Sequence, residues 1–155
     1  MSQIADSIQI RNTTFKNCII KGAMSEALAS QMARRFGVRY STVSITPLLN
    51  QYSQALFPVF KTDCKGLTKE NIQARIRGVL MMALSNQSDA LLLATGNKSE
   101  EAVGYCTLYG DTNGGFAPIK DLYKTQVYEM ARDINLRRAQ QIIPQEIIDR
   151  PPSAE

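Results

Sequence analysis

Ile8 and Ile10 alternate with polar neighbours, Asn12-Thr13 can turn the chain, and Cys18, Ile19 and Ile20 form a short apolar run. Residues 7–24 are therefore predicted to be extended. From Ser25 the period changes. Ala27, Leu28, Met32 and Phe36 fall on one face of a helix that Ser25 can cap, and Gly37 follows it as a stop. Val38 to Ile45 alternates again, with a slip between Tyr40 and Val43, and reads as a strand. Thr46-Pro47 opens the next helix, which Pro58 should end or bend. Thr68 is predicted to cap the longest helix, to about Leu84, with Ile72, Ile76, Val79 and Ala83 on its apolar face. Ala90 to Ala94 is a short continuous apolar run between polar residues, the pattern of a buried parallel strand. Val127, Met130, Ala131 and Ile134 define a helix near Lys124 to Ile134, and Pro144 can start a short one over residues 145–148. Strands alternating with helices predict an α/β fold with a parallel sheet.

Composition narrows the chemistry. The 155 residues suit one domain with a sizeable core. No residue is histidine, which excludes Ser-His and Cys-His nucleophile pairs, a histidine base and every histidine metal site. Carboxylates, lysine, arginine, backbone amides or a bound metal must do any catalysis. The net charge is +4, but residues 91–155 hold seven basic and nine acidic side chains. Without a basic run or an aromatic stripe, no nucleic-acid partner is expected, whereas a small phosphorylated ligand suits the balance. Cys18, Cys64 and Cys106 match no zinc spacing and suggest unpaired thiols in a reducing compartment. The N-terminus lacks a signal-peptide design and no apolar run approaches membrane-spanning length, so the expectation is a cytoplasmic protein without a membrane partner.

The candidate chemistry concentrates after the run Leu91–Ala94. Thr95, Gly96, Asn97 and Glu100 would stand at the carboxyl end of a parallel strand, where ligands sit in open α/β sheets. Glu100 can hold Mg²⁺. Equally, Asn97 or Ser99 can cap a helix there, with Glu100 suiting its dipole, and spacing by itself favours the cap. Five of the nine glycines lie between Gly96 and Gly115, in a loop that is neither a P-loop nor a dinucleotide fingerprint. Lys124 stands at a predicted helix start, where its charge opposes the helix dipole, which hints at an anionic partner. Arg75 flanks the apolar stripe of the longest helix and reads either as a snorkelling side chain or as an anion contact.

Five ordered blocks carry a resemblance: Glu70-Asn-Ile-Gln-Ala-Arg75, Ala94-Thr-Gly-Asn-Lys-Ser-Glu100, Gly104-Tyr-Cys-Thr-Leu-Tyr-Gly-Asp111, the stretch Gly114 to Thr125, and the stretch Ile143 to Glu155. From about Ser25 onward the chain resembles the synthetase domain of glutamine-dependent NAD synthetases. The resemblance implies a partial parallel sheet of the adenine-nucleotide α-hydrolase, Rossmann-like type with flanking helices. It implies a ligase that adenylates the nicotinate carboxylate of deamido-NAD with ATP and Mg²⁺, after which ammonia attacks the acyl-adenylate to give NAD. By position, Thr95 and Lys124 would bind ATP. Asn71, Arg75, Glu100, Tyr105, Cys106, Thr107 and Leu108 would bind deamido-NAD, with Glu100 also the metal ligand. No residue is assigned a catalytic role, and a homodimer is implied.

Two departures qualify this. The family's Ser-Gly-Gly-x-Asp-Ser pyrophosphate loop has no counterpart here, and neither has the family sequence beyond Ser153-Ala-Glu155. The expectation is a partial synthetase domain over residues 25–155, catalytically incomplete alone; the alternative is a non-catalytic dimerising or partner-binding module. Residues 1–24 would be a separate extended segment. Residues 8–29 resemble the start of old-yellow-enzyme-like flavin oxidoreductases, with Cys18 where that family has arginine; this favours a fused or recombined reading frame, the alternative being an unrelated hairpin over residues 1–24.

Overall fold

The computed structural model describes residues 8–10, 13–15, 26–138 and 141–149. Its elements, in chain order, are β1 (Ile8–Ile10), β2 (Thr13–Phe15), α1 (Glu26–Phe36), α2 (Thr46–Phe60), α3 (Gly66–Ser88), α4 (Lys98–Ala102), α5 (Lys124–Arg137) and α6 (Gln145–Asp149). The chain divides into two compact units, one from residues 1–41 with 125–155 and the other from residues 42–124.

In the first unit, β1 and β2 pair antiparallel, Ile8 opposite Phe15 and Ile10 opposite Thr13. The predicted turn at Asn12-Thr13 falls partly outside the described residues. The apolar run Cys18 to Ile20 and the Ser25 cap also lie outside them. Helix α1 ends where glycine predicts: Gly37 takes φ +63° and Val38 donates its N–H back to the Ala33 carbonyl at 2.9 Å. Met32, Ala33 and Ile148 form the buried apolar centre of this unit. Asn135 of α5 clamps the segment before α6, since its amide bonds both the N–H and the carbonyl of Ile143 at 2.8 Å. Arg35 of α1 reaches the Ile142 carbonyl at 3.0 Å. The amphipathic α5 is as predicted except at Met130, which is exposed.

In the second unit, two predicted boundaries move. Pro58 lies inside α2, which continues to Phe60 and closes on Lys61 in the left-handed conformation. A proline in the last turn forfeits one intrahelical bond, which is too little to end a helix packed against its neighbour. Helix α3 begins at Gly66, so Thr68 is inside it rather than its cap. Its buried face also differs from the predicted stripe. Ala74, Ile76 and Gly78 are buried, whereas Val79 is 60% exposed. The reason is tertiary: the loop of residues 107–115 packs on the small residues Ala74 and Gly78, and that contact decides which side is inside.

The predicted strand over residues 38–45 forms no named strand. The run at residues 90–94 makes a single parallel bridge, Leu93 to Phe116, with Ala94 donating to the Phe116 carbonyl and Gly115 donating to the Leu92 carbonyl, both at 2.9 Å. Leu92 and Ala94 are buried, but Leu91 and Leu93 are nearly half exposed, so this run is covered on one face only. The one other isolated bridge position among the described residues is Arg39, within the predicted strand over residues 38–45. No helix among the described residues is long and apolar enough to cross a membrane.

Candidate functional site

The site is built from the segment that follows the bridge. Asn97 begins α4 in an extended conformation, its side chain accepting from the Glu100 N–H at 3.1 Å. Glu100 Oε2 in turn accepts from the Asn97 N–H at 3.1 Å. This is a complete capping box, the form that an Asn-x-x-Glu sequence favours. Asn97 is 2% exposed, the one buried polar side chain among the described residues, and both its cap bonds are made.

The other oxygen, Glu100 Oε1, accepts from Lys124 Nζ at 3.2 Å. The first residue of α5 is thus a lysine whose charge is offset by a carboxylate on the neighbouring helix, which removes the dipole penalty. Two backbone bonds hold the same segments together. Lys124 donates its N–H to Ser99 Oγ at 3.0 Å, and Lys98 donates its N–H to the Leu122 carbonyl at 2.9 Å. Lys98 Nζ lies 4.8 Å from the centre of the Tyr123 ring, a cation–π distance.

The glycine-rich loop is fixed against α3 by side chains from both. Thr107 donates its hydroxyl to Asn71 Oδ1 at 3.0 Å, and Arg75 Nε donates to the Leu108 carbonyl at 3.2 Å. Within the loop, Asp111 accepts from the Thr107 N–H at 2.8 Å and Asn113 donates to the Tyr109 carbonyl at 2.9 Å. Close approach explains the glycines: a Cβ at Gly110 would stand 2.9 Å from the Ala74 Cβ, and one at Gly114 would stand 2.6 Å from the Ala94 backbone nitrogen. Tyr109 is held at φ +64°, which lets Gly110 reach α3.

Between this loop and α4 lies an open cleft of about 90 Å³, walled in part by Ala94, Gly96, Glu100, Tyr105, Cys106 and Asp111. Ligand pockets usually enclose roughly 300–1,000 Å³, so the cleft is smaller than a whole ligand pocket. Thr95 is exposed between two wall residues. The predicted positions fall into two groups. Glu100 and Lys124 pair with each other beside the cleft wall that Tyr105 and Cys106 complete. Asn71, Arg75, Thr107 and Leu108 form the network behind the loop. Ser99 and Asp111 also position the site; both were unassigned in the sequence, where nothing signals a hydroxyl bonding a backbone amide 25 positions away. Cys64 is buried and Cys106 exposed, both as free thiols.

A divalent cation finds limited support. Among the described residues no cluster of three His, Cys, Asp or Glu can hold a metal ion. Mg²⁺ commonly takes one or two carboxylates and completes its shell with waters and ligand phosphates. Glu100 is the one carboxylate of the Asn97–Glu100 capping box at the cleft, and both its oxygens are engaged, Oε2 by the Asn97 N–H and Oε1 by Lys124 Nζ.

Residues 20–155 match the family model described as NAD synthase. The chain is 52% identical over 127 residues to the glutamine-dependent NAD(+) synthetase of Acinetobacter baylyi, covering 82% of this chain and 24% of that protein. Among solved structures, it superposes with a TM-score of 0.77 and 45% identity on a glutamine-dependent NAD⁺ synthetase from Acinetobacter baumannii in complex with ADP, covering 83% of this chain and 25% of that one. The NMN synthetase of Francisella tularensis is more distant, at TM-score 0.67 and 26% identity, with 82% of this chain and 49% of that one covered. The chain spans about a quarter of the length of the curated relatives it matches.

Proposed function

Because this chain belongs to the NAD synthase family, we propose that it contributes part of a site for the ATP-dependent amidation of deamido-NAD to NAD through an acyl-adenylate. The observation that carries the reading is the Glu100–Lys124 pair beside a glycine-lined cleft. A carboxylate and an ammonium held 3.2 Å apart match the two charges of a metal–polyphosphate ligand. ATP fits this reading, since a similar protein was solved with ADP. Mg²⁺, when bound, would neutralise phosphate charge beside Glu100.

The chain's own residues bind and orient. Lys124 supplies positive charge for the ATP phosphates, and Thr95 stands exposed beside the cleft to meet the nucleotide. Asn71 and Arg75 hold the loop so that Tyr105 to Leu108 keep one shape toward deamido-NAD. A parallel sheet of the adenine-nucleotide α-hydrolase type would include the Leu93–Phe116 bridge. No residue needs to act as a histidine base, because ammonia is itself the nucleophile. Without a Ser-Gly-Gly-x-Asp-Ser loop in the sequence, the phosphates lack their main backbone cradle, so the chain alone binds but does not turn over. Titration calorimetry with Mg-ATP and with deamido-NAD is the test. Heat of binding for both, with no NAD formed from ammonia, is the expected result; absence of any binding overturns the reading, and turnover overturns the incompleteness.

One observation favours self-association as a second role. Tyr52, Phe57, Val59 and Phe60 of α2 and Leu67 and Val79 of α3 are exposed, an apolar surface of the kind that protein interfaces cover. Light scattering over a concentration series is expected to show mass rising toward a dimer. A constant monomer mass removes this role.

A further inference from the structure

Thr107 is the one half-buried residue in the otherwise exposed run from Glu101 to Tyr109. Each of its polar groups is bonded within the chain. Its N–H donates to Asp111 Oδ1 at 2.8 Å, and its carbonyl accepts from the Gly110 N–H at 3.0 Å and from the Thr112 hydroxyl at 3.3 Å. Its hydroxyl donates to Asn71 Oδ1 of α3 at 3.0 Å. The first three bonds close residues 107–112 into a ring, and the hydroxyl ties that ring to a helix residue 36 positions earlier. The cleft wall passes through both ends of the ring: Tyr105 and Cys106 directly precede Thr107, Asp111 and Thr112 are its bond partners, and all four line the cleft. Arg75 adds a second tie to α3 through the Leu108 carbonyl, but an exposed one for which water competes.

The resemblance gives Thr107 to deamido-NAD along with its neighbours, and the geometry separates them. Tyr105, Cys106 and Leu108 are exposed, whereas Thr107 turns inward and a hydroxyl has one proton to donate, which here goes to Asn71. We propose that Thr107 is a positioning residue: its hydroxyl anchors the ring on α3 and so fixes the loop side of the cleft, while ligand contact in this loop falls to Tyr105, Cys106 and Leu108. The proposal rests on the deamido-NAD reading for its ligand, but the anchor concerns groups of this chain only.

Thr107→Val tests it, because valine keeps the branched shape and both backbone groups and removes only the hydroxyl. Loss of one such bond shifts a local opening equilibrium about two- to tenfold. Amide exchange at Thr107 and Gly110, read by NMR, should quicken by that factor while the amides of α2 keep the wild-type rate. Asn71→Ala, which removes the same bond from the helix side, should quicken the same two amides. Deamido-NAD affinity, read by titration calorimetry, should fall about two- to tenfold in Thr107→Val, and Thr107→Ser, which keeps the hydroxyl, should recover most of both effects. With Asn71→Ala already present, Thr107→Val should weaken binding little further, since the two changes remove one bond. Unchanged exchange in Thr107→Val overturns the anchor. Faster exchange with unchanged affinity overturns the positioning role, as does an additive loss in the double variant, the sign of direct contact by Thr107. If exchange responds but the wild type takes up no deamido-NAD, the anchor stands and the ligand reading fails.

Discussion

Gly114→Ala is expected to destabilise the chain by about 1–3 kcal/mol, the usual cost of forcing extra volume into a packed place, and to lower the thermal midpoint by several degrees. The added methyl would stand 2.6 Å from the Ala94 nitrogen, 3.0 Å from the Ala94 Cβ and 3.1 Å from the Leu92 carbonyl oxygen. All three belong to the backbone or to the stub of a side chain, so none can swing aside. The same segment makes the parallel bridge, with Gly115 donating to Leu92 and Ala94 donating to Phe116. The substitution therefore pushes apart the two strands of chain that wall the cleft, and nucleotide affinity should fall with stability. Gly96→Ala is the control, because its methyl would meet only Glu101 Oε1 at 3.9 Å, an ordinary contact. Thermal melts of the two variants side by side check the prediction; equal midpoints would show that the loop relaxes at no cost.

Gly78→Ala sets two effects against each other. Alanine inside a helix is worth about 1 kcal/mol more than glycine, and Gly78 lies well within α3. Against this, a Cβ at that position would come within 2.6 Å of the Tyr109 carbonyl oxygen and 3.1 Å of the Gly110 carbonyl oxygen. Contacts that short move the loop away from the helix. Tyr109 and Gly110 are held by the Asn113 amide and by the Gly110 N–H to the Thr107 carbonyl at 3.0 Å, so the displacement strains bonds on both sides of the turn. The overpacking cost of about 1–3 kcal/mol exceeds the propensity gain, and a net loss of stability is expected. Amide exchange gives the local signature. Protection should drop at residues 107–113, while α2 keeps the protection of the wild type. A stabilised variant with an unchanged loop would mean that helix propensity wins and that the close approach is not required.

These two glycines show how differently the parts of the molecule can be read. Signals decided within a few residues were visible in the chain. Gly37 ends α1, the Asn97-x-x-Glu100 spacing makes a capping box, and the Val127–Ile134 period makes α5, because caps and helical faces depend on neighbours three or four positions away. The ordered blocks were equally visible, and with them the family. Residues of separate blocks meet in space: Asn71 bonds Thr107, Arg75 bonds Leu108, and Glu100 stands at the cleft.

Other features depend on groups far along the chain, and local pattern misplaced or missed them. The apolar stripe of α3 pointed to Val79 as buried, but the loop 30 or more residues later packs on Ala74 and Gly78 instead. Pro58 was expected to end or bend its helix, and α2 continues through it by two residues to Phe60. Gly110 and Gly114 are needed because backbone passes within van der Waals range of α3 and of Ala94, a requirement no local pattern shows. What the sequence by itself determined, then, was the set of chemical groups, the local caps and periods, and membership of a family. Only the tertiary structure decided that Lys124 and Glu100 neutralise each other and that small residues form the seam between α3 and its loop. The physical reason is range: capping and periodicity are short-range along the chain, while packing volume and charge pairing are settled by whatever the fold brings within a few ångströms.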